Sequence, residues 1–229
     1  GPPEIDAVKL RDWKNGVVAR LTGGLETLAR QRKVAVIRGD ATFVAAHELQ
    51  VGEGGTTRTV SFDKCIIAAG SESLRLPGLP DDPRIIDSTG ALELDLPESL
   101  LVVGGGIIGL EMATVYDALG VAVSVVELTP GLMPGCDRDL VRVLEKRVTR
   151  RYTRVLTGTR MTGIEATAEG LRVAFAGDGA PEPQLFGKVL VAVGRSPNGG
   201  RINAAAAGVH VDERGFIPAD RQMRTNVPH

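Results

Sequence analysis

From residue 6 to about residue 32, apolar side chains recur every three to five positions, at Val8, Trp13, Val17, Leu21, Leu25 and Leu28, with charged residues between them. That spacing predicts a helix with one apolar face, weakened in its middle by Gly23 and Gly24. After Lys33 the rhythm changes. VAVIRG, ATFVA, HELQVG, TRTVSF and KCIIAAG are short, β-branched runs broken by glycine, which predicts a small antiparallel meander whose last strand enters a core. Pro77, Gly78, Pro80, Asp81, Asp82 and Pro83 then make a turn-rich connection, so a second unit is expected to begin near Ile85.

That unit opens with LLVVGGG, a continuously apolar strand of the kind buried on both faces of a parallel sheet. A helical run follows from about residue 107 to 119, then the strand VAVSVVE. A second helix is expected from residue 137 to about 151, with Asp137 and Asp139 placed to suit its dipole. RVLTGT, MTGIEAT, LRVAFAG and KVLVAVGR read as four more strands, while residues 201–229 offer only GVHV and GFIPAD as strand hints. The expected fold class is α/β: a Rossmann-like domain with a parallel sheet and an antiparallel meander, attached to a second, partial domain. No internal repeat interrupts this order.

Composition narrows the function. Apolar residues make up 43% of the 229 positions and aromatics only 3%, while 29 are glycine; this balance suits close backbone approach to a ligand better than aromatic stacking on bases. Lys and Arg number 27 against 28 Asp and Glu, so no nucleic-acid or acidic-membrane partner is expected. No stretch approaches the roughly 18 apolar residues of a transmembrane helix. The first residues, GPPEIDAVKLRD, do not form a signal peptide. Cys65 and Cys136 stand 71 positions apart and match neither a CxxC pair nor a metal site, which favours two isolated thiols and a reducing, cytoplasmic setting. His47, His210 and His229 are scattered and support no metal or triad.

The chemistry concentrates in LLVVGGGIIGLEMATVYDALGVAVSVVE, residues 100–127. Gly104, Gly106 and Gly109 form G-x-G-x-x-G directly after an apolar strand and at a helix start, with Gly105, Ile107 and Ile108 between them. Gly104 permits the tight turn. Gly106 lets backbone amides approach a pyrophosphate, and Gly109 lets the helix pack closely on the strand. The helix N-terminus then offers unpaired N–H groups and partial positive charge to phosphates. Glu127 lies 18 residues past Gly109 at the end of the next strand, where a carboxylate can accept both ribose hydroxyls of NAD and would repel the 2′-phosphate of NADP. Leu128, Thr129 and Pro130 supply no cation to offset that repulsion.

Other positions carry weaker signals. Glu111, in the first helical turn, is either a carboxylate favoured by the helix dipole by about 0.3–1 kcal/mol or a functional acid, and the residues alone favour the first. KCIIAAGSESLRLPG and KVLVAVGRSPNGG each end an apolar strand at glycine, Gly70 and Gly194, and strands of open α/β sheets place ligands at such ends. Arg195 is equally a candidate for a phosphate contact or an ion pair.

Taken in order, IIAAGS, LP, the glycine string, VVE, VAVGRSPNG, GFI and RTNVPH resemble the pyridine nucleotide disulfide oxidoreductases, and among them the bacterial dihydrolipoamide dehydrogenases. The resemblance covers almost the whole chain. It implies that residues 1–85 belong to an FAD-binding domain, 86–204 form an inserted NAD-binding domain, and 205–229 begin the return to the first. It implies NAD contacts from residues 104–109, Glu127, the backbone around Met161, and Ala192, Val193, Gly194 and Arg195. FAD contacts are implied near Ala41 and at Ala68, Ala69 and Gly70, where Ala69 replaces the threonine of the family's ATG motif. Ile107 would lie where the nicotinamide enters beside the flavin, and Glu111 near the flavin, which raises the functional reading of that acid.

The family's first flavin fingerprint, its CxxxxC disulfide, the acid holding the flavin ribityl chain and its C-terminal His-Glu pair are not found in the 229 residues. The chain is therefore expected to be an internal fragment that binds and does not catalyse. The parent reaction implied is oxidation of dihydrolipoamide through the disulfide and FAD to NAD, in a homodimer serving a 2-oxo acid dehydrogenase complex. Another flavoprotein disulfide reductase, a soluble transhydrogenase, or a free-standing NAD-binding or interaction module are the alternatives.

Overall fold

The computed structural model describes residues 5–229. In chain order the elements begin with helix α1 (Ala7–Gln31), strands β1 (Asp40–Ala45), β2 (Glu48–Glu53), β3 (Thr56–Ser61), β4 (Ser71–Ser73) and β5 (Ile85–Ile86), and the short helix α2 (Ser88–Ala91). There follow β6 (Ser99–Val103), α3 (Ile107–Ala118), β7 (Ala122–Val126), α4 (Arg138–Arg151), β8 (Arg154–Leu156), β9 (Arg160–Ala166), β10 (Leu171–Ala176), β11 (Gln184–Phe186), β12 (Lys188–Val191) and β13 (Arg195–Pro197). Two single-turn 3₁₀ helices, Asn198–Arg201 and Ala204–Ala207, come last. No helix among the described residues is long and apolar enough to cross a membrane.

Two units divide this chain. The first holds the described residues through Val17 together with Ser73–Gly194. Its centre is a five-stranded parallel sheet in the order β5-β12-β6-β7-β8. The unbroken apolar text of β6 has a direct structural cause, because successive side chains of a strand point to opposite faces and here both faces are covered. Leu100 and Val102 enter a cluster with Ala113 and Tyr116 of α3 and Val141 and Val148 of α4. Leu101 and Val103 enter another with Val173 of β10 and Phe186 of β11. The antiparallel β11-β10-β9 sheet thus roofs the face opposite the helices. Each fully buried Leu or Val contributes about 1.5–3 kcal/mol relative to exposure, so a polar residue on either face of β6 is costly.

The second unit comprises Val18–Glu72 and Arg195–His229. Its antiparallel sheet runs β1-β2-β3, and Phe43 of β1 packs with Ala204, Ala207 and Val209. Phe43 N–H donates to Ile202 O at 2.9 Å, and Asn203 Nδ2 donates to Phe43 O at 2.8 Å.

Several expectations are corrected. KCIIAAG and VAVIRG form no strand, and Ile66 is 94% exposed. A strand exists only as part of a hydrogen-bonded ladder, and among the described residues no ladder forms on either run; Cys65 N–H instead donates to His229 O at 2.9 Å. GVHV and GFIPAD likewise form no strand. By packing, the two units divide after Glu72 and Gly194; the bounds near residues 85 and 204 are those that the family resemblance implies. Leu74 N–H is bonded to Gly194 O and Ile85–Ile86 pairs with β12, which draws residues 73–85 into the parallel-sheet unit, while the 3₁₀ turns pack on Phe43 in the other.

Candidate nucleotide site

At the end of β6 the chain turns sharply. Gly104 has φ +109°, and a β-carbon there would lie 2.4 Å from Ala192 O at the end of β12. Gly104 N–H donates to Val126 O, and Ala192 N–H to Val103 O, each at 2.8 Å; the ends of three parallel strands therefore meet at this turn. A β-carbon on Gly109 would lie 2.1 Å from Gly104 O, so α3 packs backbone to backbone on the turn. At Gly106 a β-carbon would meet nothing within 4 Å. Gly106 is the N-cap of α3, and no side chain caps the helix. Its first amides remain available to an anion in the manner expected of a helix N-terminus.

Glu127 follows β7 and is 8% exposed. Its Oε2 accepts Gly105 N–H at 2.7 Å, while its Oε1 accepts both the backbone N–H and the hydroxyl of Thr129, each at 2.7 Å. This changes the expectation of an acid open to two ribose hydroxyls. A carboxylate has about four acceptor positions, three are filled by the protein, and the remaining one is on Oε2. The segment after Glu127 folds back on the turn: Met133 N–H donates to Gly105 O at 2.9 Å, and the Leu132 side chain lies where a Gly105 β-carbon would go. Leu132 is fully buried, and Arg138 holds its carbonyl at 2.7 Å while also pairing with Glu145 at 2.8 Å. From the sequence Thr129 counts only as a residue that brings no cation.

The remaining predicted residues distribute unevenly. Ile107 is 59% exposed, Ile108 half-buried, and Glu111 exposed on α3. Ala192 is half-buried and Val193 and Gly194 are exposed. Met161 packs in the cluster beneath the meander and pairs with Phe175.

The second unit has its own feature. Ala69, Gly70, Ser71, Arg195 and Phe216 line a pocket of about 390 Å³. Arg195 is held by Ser71, with Nε donating to Ser71 Oγ at 2.7 Å and the guanidinium also bonding Ser71 O. Asn198, which sequence reasoning did not single out, ties the pocket wall by donating through Nδ2 to Ala69 O at 3.0 Å and through its backbone to Gly70 O at 3.1 Å. Ala68 is exposed beside this wall in sequence, and Ala41 is exposed on β1. Among the described residues no group of three or more His, Cys, Asp or Glu could hold a metal, and both cysteines are free.

The sequence and fold agree with known proteins. The dihydrolipoyl dehydrogenase of Vibrio parahaemolyticus is 47% identical over 232 residues, spanning 100% of this chain and 49% of its own length. That of Vibrio cholerae is 49% identical, with the same coverage. The chain spans about half the length of the curated relatives it matches. Among solved structures, the Cu(II) complex of the HOCl-induced flavoprotein disulfide reductase RclA from Escherichia coli superposes with a TM-score of 0.87 at 26% identity, covering 97% of this chain and 51% of that one. An FAD-dependent pyridine nucleotide-disulphide oxidoreductase from Desulfovibrio vulgaris gives 0.69 at 30% identity, covering 86% and 53%. The model of the pyridine nucleotide-disulphide oxidoreductases matches residues 2–229, and the chain belongs to that family.

Proposed function

We propose that the parallel-sheet unit binds NAD, with the pyrophosphate over residues 104–109 and the adenosine ribose at Glu127. The observation that carries this reading is the contrast within one turn: Gly104 and Gly109 have no room for a β-carbon, whereas Gly106, at an uncapped helix start, has open space. Open space at that position admits a phosphate to the amides. The buried carboxylate at 127 then selects a ribose hydroxyl over a 2′-phosphate, because two anions in a partly desolvated site repel. Ala192, Val193 and Gly194, at the end of the neighbouring strand, extend the same surface toward the nicotinamide, with Ile107 beside them in the reading and Met161 contributing backbone.

In the whole protein this unit serves a dihydrolipoyl dehydrogenase, as in the Vibrio relatives, acting in a homodimer on a 2-oxo acid dehydrogenase complex. FAD would be contacted from Ala41, Ala68, Ala69 and Gly70, of which Ala69 and Gly70 line the pocket of the second unit; when bound it relays electron pairs between disulfide and nicotinamide. The role left to the residues present is to bind and orient the dinucleotide, and by themselves they do not turn over.

Titration calorimetry with NAD and NADP tests the reading. NAD is expected to bind more tightly, and Glu127→Arg to narrow or reverse the preference. Equal or tighter NADP binding by the unmodified protein would sink the assignment.

A further inference from the structure

Glu127 presents a problem that the structure also resolves. If the protein fills three of its four acceptor positions, a ribose diol has only one left, on Oε2. The donor occupying the last position of Oε1 is the Thr129 hydroxyl, and that oxygen has a second acceptor in reach. Thr129 Oγ1 lies 2.7 Å from Glu127 Oε1 and 2.9 Å from Gly131 O. A hydroxyl has one proton and can serve only one of these at a time. Rotating that hydrogen, with no heavy atom moving, transfers the bond from the carboxylate to the carbonyl.

We propose that the Thr129 hydroxyl is a two-position donor that satisfies Glu127 when the site is empty and turns to Gly131 O when a ribose diol binds, freeing Oε1 for the second hydroxyl. This inference rests on the reading of Glu127 as the ribose acceptor and adds a positioning residue to it. The backbone around Thr129 is held for the task. Its N–H stays on Oε1 in both states, and its carbonyl accepts Gly158 N–H at 2.8 Å. Gly131 is held close by its neighbour Leu132, whose N–H and carbonyl are both engaged with the Glu145 and Arg138 side chains. The acceptor that receives the turned hydroxyl therefore does not have to be found by a moving loop. In the empty site the hydroxyl favours the charged acceptor, since hydrogen bonds to charged groups are the stronger class.

The consequence has an unusual sign. Binding must exchange a charged acceptor for a neutral one at Thr129, and that exchange weakens ribose recognition. Thr129→Val keeps the shape and removes the donor, so the empty protein loses a bond on a buried carboxylate and nothing remains to be displaced. Thr129→Val is therefore expected to melt at lower temperature and to bind NAD about fivefold more tightly, the difference between charged and neutral acceptors. Thr129→Ser, which keeps the hydroxyl, is expected to restore both properties. Titration calorimetry with NAD and with 2′-deoxy-NAD, alongside thermal melts, reads the effect. The gap between the two ligands should widen in Thr129→Val. Weaker NAD binding by Thr129→Val, rescued by serine, would mean that the hydroxyl only braces the acid, and would overturn the two-position donor while leaving the ribose reading intact. A wild-type protein that binds NAD and 2′-deoxy-NAD equally well would instead remove the ribose reading itself.

Discussion

Gly109 and Gly106 stand three residues apart in the same turn, and the structure assigns them opposite sensitivities. In Gly109→Ala the new β-carbon would lie 2.1 Å from Gly104 O and 3.1 Å from Val102 Cγ1, against an ordinary contact of at least 3.4 Å. The oxygen cannot retreat, because Gly104 is itself pressed against Ala192 O, with only 2.4 Å for a β-carbon. The helix must therefore move off the strand by about 1 Å, and overpacking against backbone sits at or above the upper end of the usual 1–3 kcal/mol. Alanine returns up to about 1 kcal/mol in helix propensity. The net loss is about 2 kcal/mol or more, a fall in Tm of about 4–8 °C for a chain of this size, with NAD binding impaired through the displaced amides. Gly106→Val places its side chain in open space at φ −82°, a backbone any residue adopts. Its Tm should stay within about 3 °C, a poorer N-cap being the only loss, while NAD affinity falls at least tenfold, about 1.4 kcal/mol. Circular dichroism melts and calorimetric titration of both variants separate the two effects. A wild-type Tm for Gly109→Ala would refute the close packing of α3, and unchanged NAD affinity in a folded Gly106→Val would refute the approach of phosphate to that amide.

Other consequences follow from single groups. Asp82 is held down to about 2 from its ordinary 3.8, chiefly by hydrogen bonds from the Arg84 side chain; a depressed carboxyl stabilises above its unfolded pKa and loses that contribution as pH falls through the folded one. Arg84→Gln should thus melt below the wild type at pH 6, and the gap should narrow between about pH 4 and pH 2 to the part owed to the bond from Arg84 to Thr167 O; a gap of unchanged size at pH 2 would refute the role given to Asp82. Burial pushes the Cys65 thiol up, while Cys136 is exposed, so iodoacetamide at pH 8 should label Cys136 first, as peptide mass mapping would read, and faster labelling of Cys65 would contradict its burial. Under the proposed reading, a preparation of these 229 residues should be inactive in dihydrolipoamide oxidation, since its two cysteines are free and form no disulfide to accept electrons; measurable turnover would overturn that expectation.

How much of this was legible in the text of the chain depends on where each residue finds its partners. The β6–α3–β7 core was readable because its determinants are local: an apolar run, glycines at fixed offsets and an acid at the next strand end. Each acts on neighbours within about thirty residues, the span of a βαβ unit. KCIIAAG reads as a strand with equal force, yet it joins no ladder among the described residues, because β-propensity records fitness for a pleated surface and does not supply the adjoining strand. The same distinction explains α1. Its periodicity gives a helix through Gly23 and Gly24, but no residue of it is buried, and Trp13, Leu21 and Leu25 are 66–68% exposed. Periodicity predicts which face of a helix is apolar and is silent on what that face meets. Glu127 lies between these cases. Its place at a strand end was legible, whereas its hydrogen bonds to Gly105 and Thr129 depend on a loop folding back across the turn, a closure that no spacing rule encodes. That closure sets how many acceptor positions remain for a ligand, so under the proposed reading the choice of ligand depends on Thr129 and Gly131 as well as on the acid that the sequence singles out.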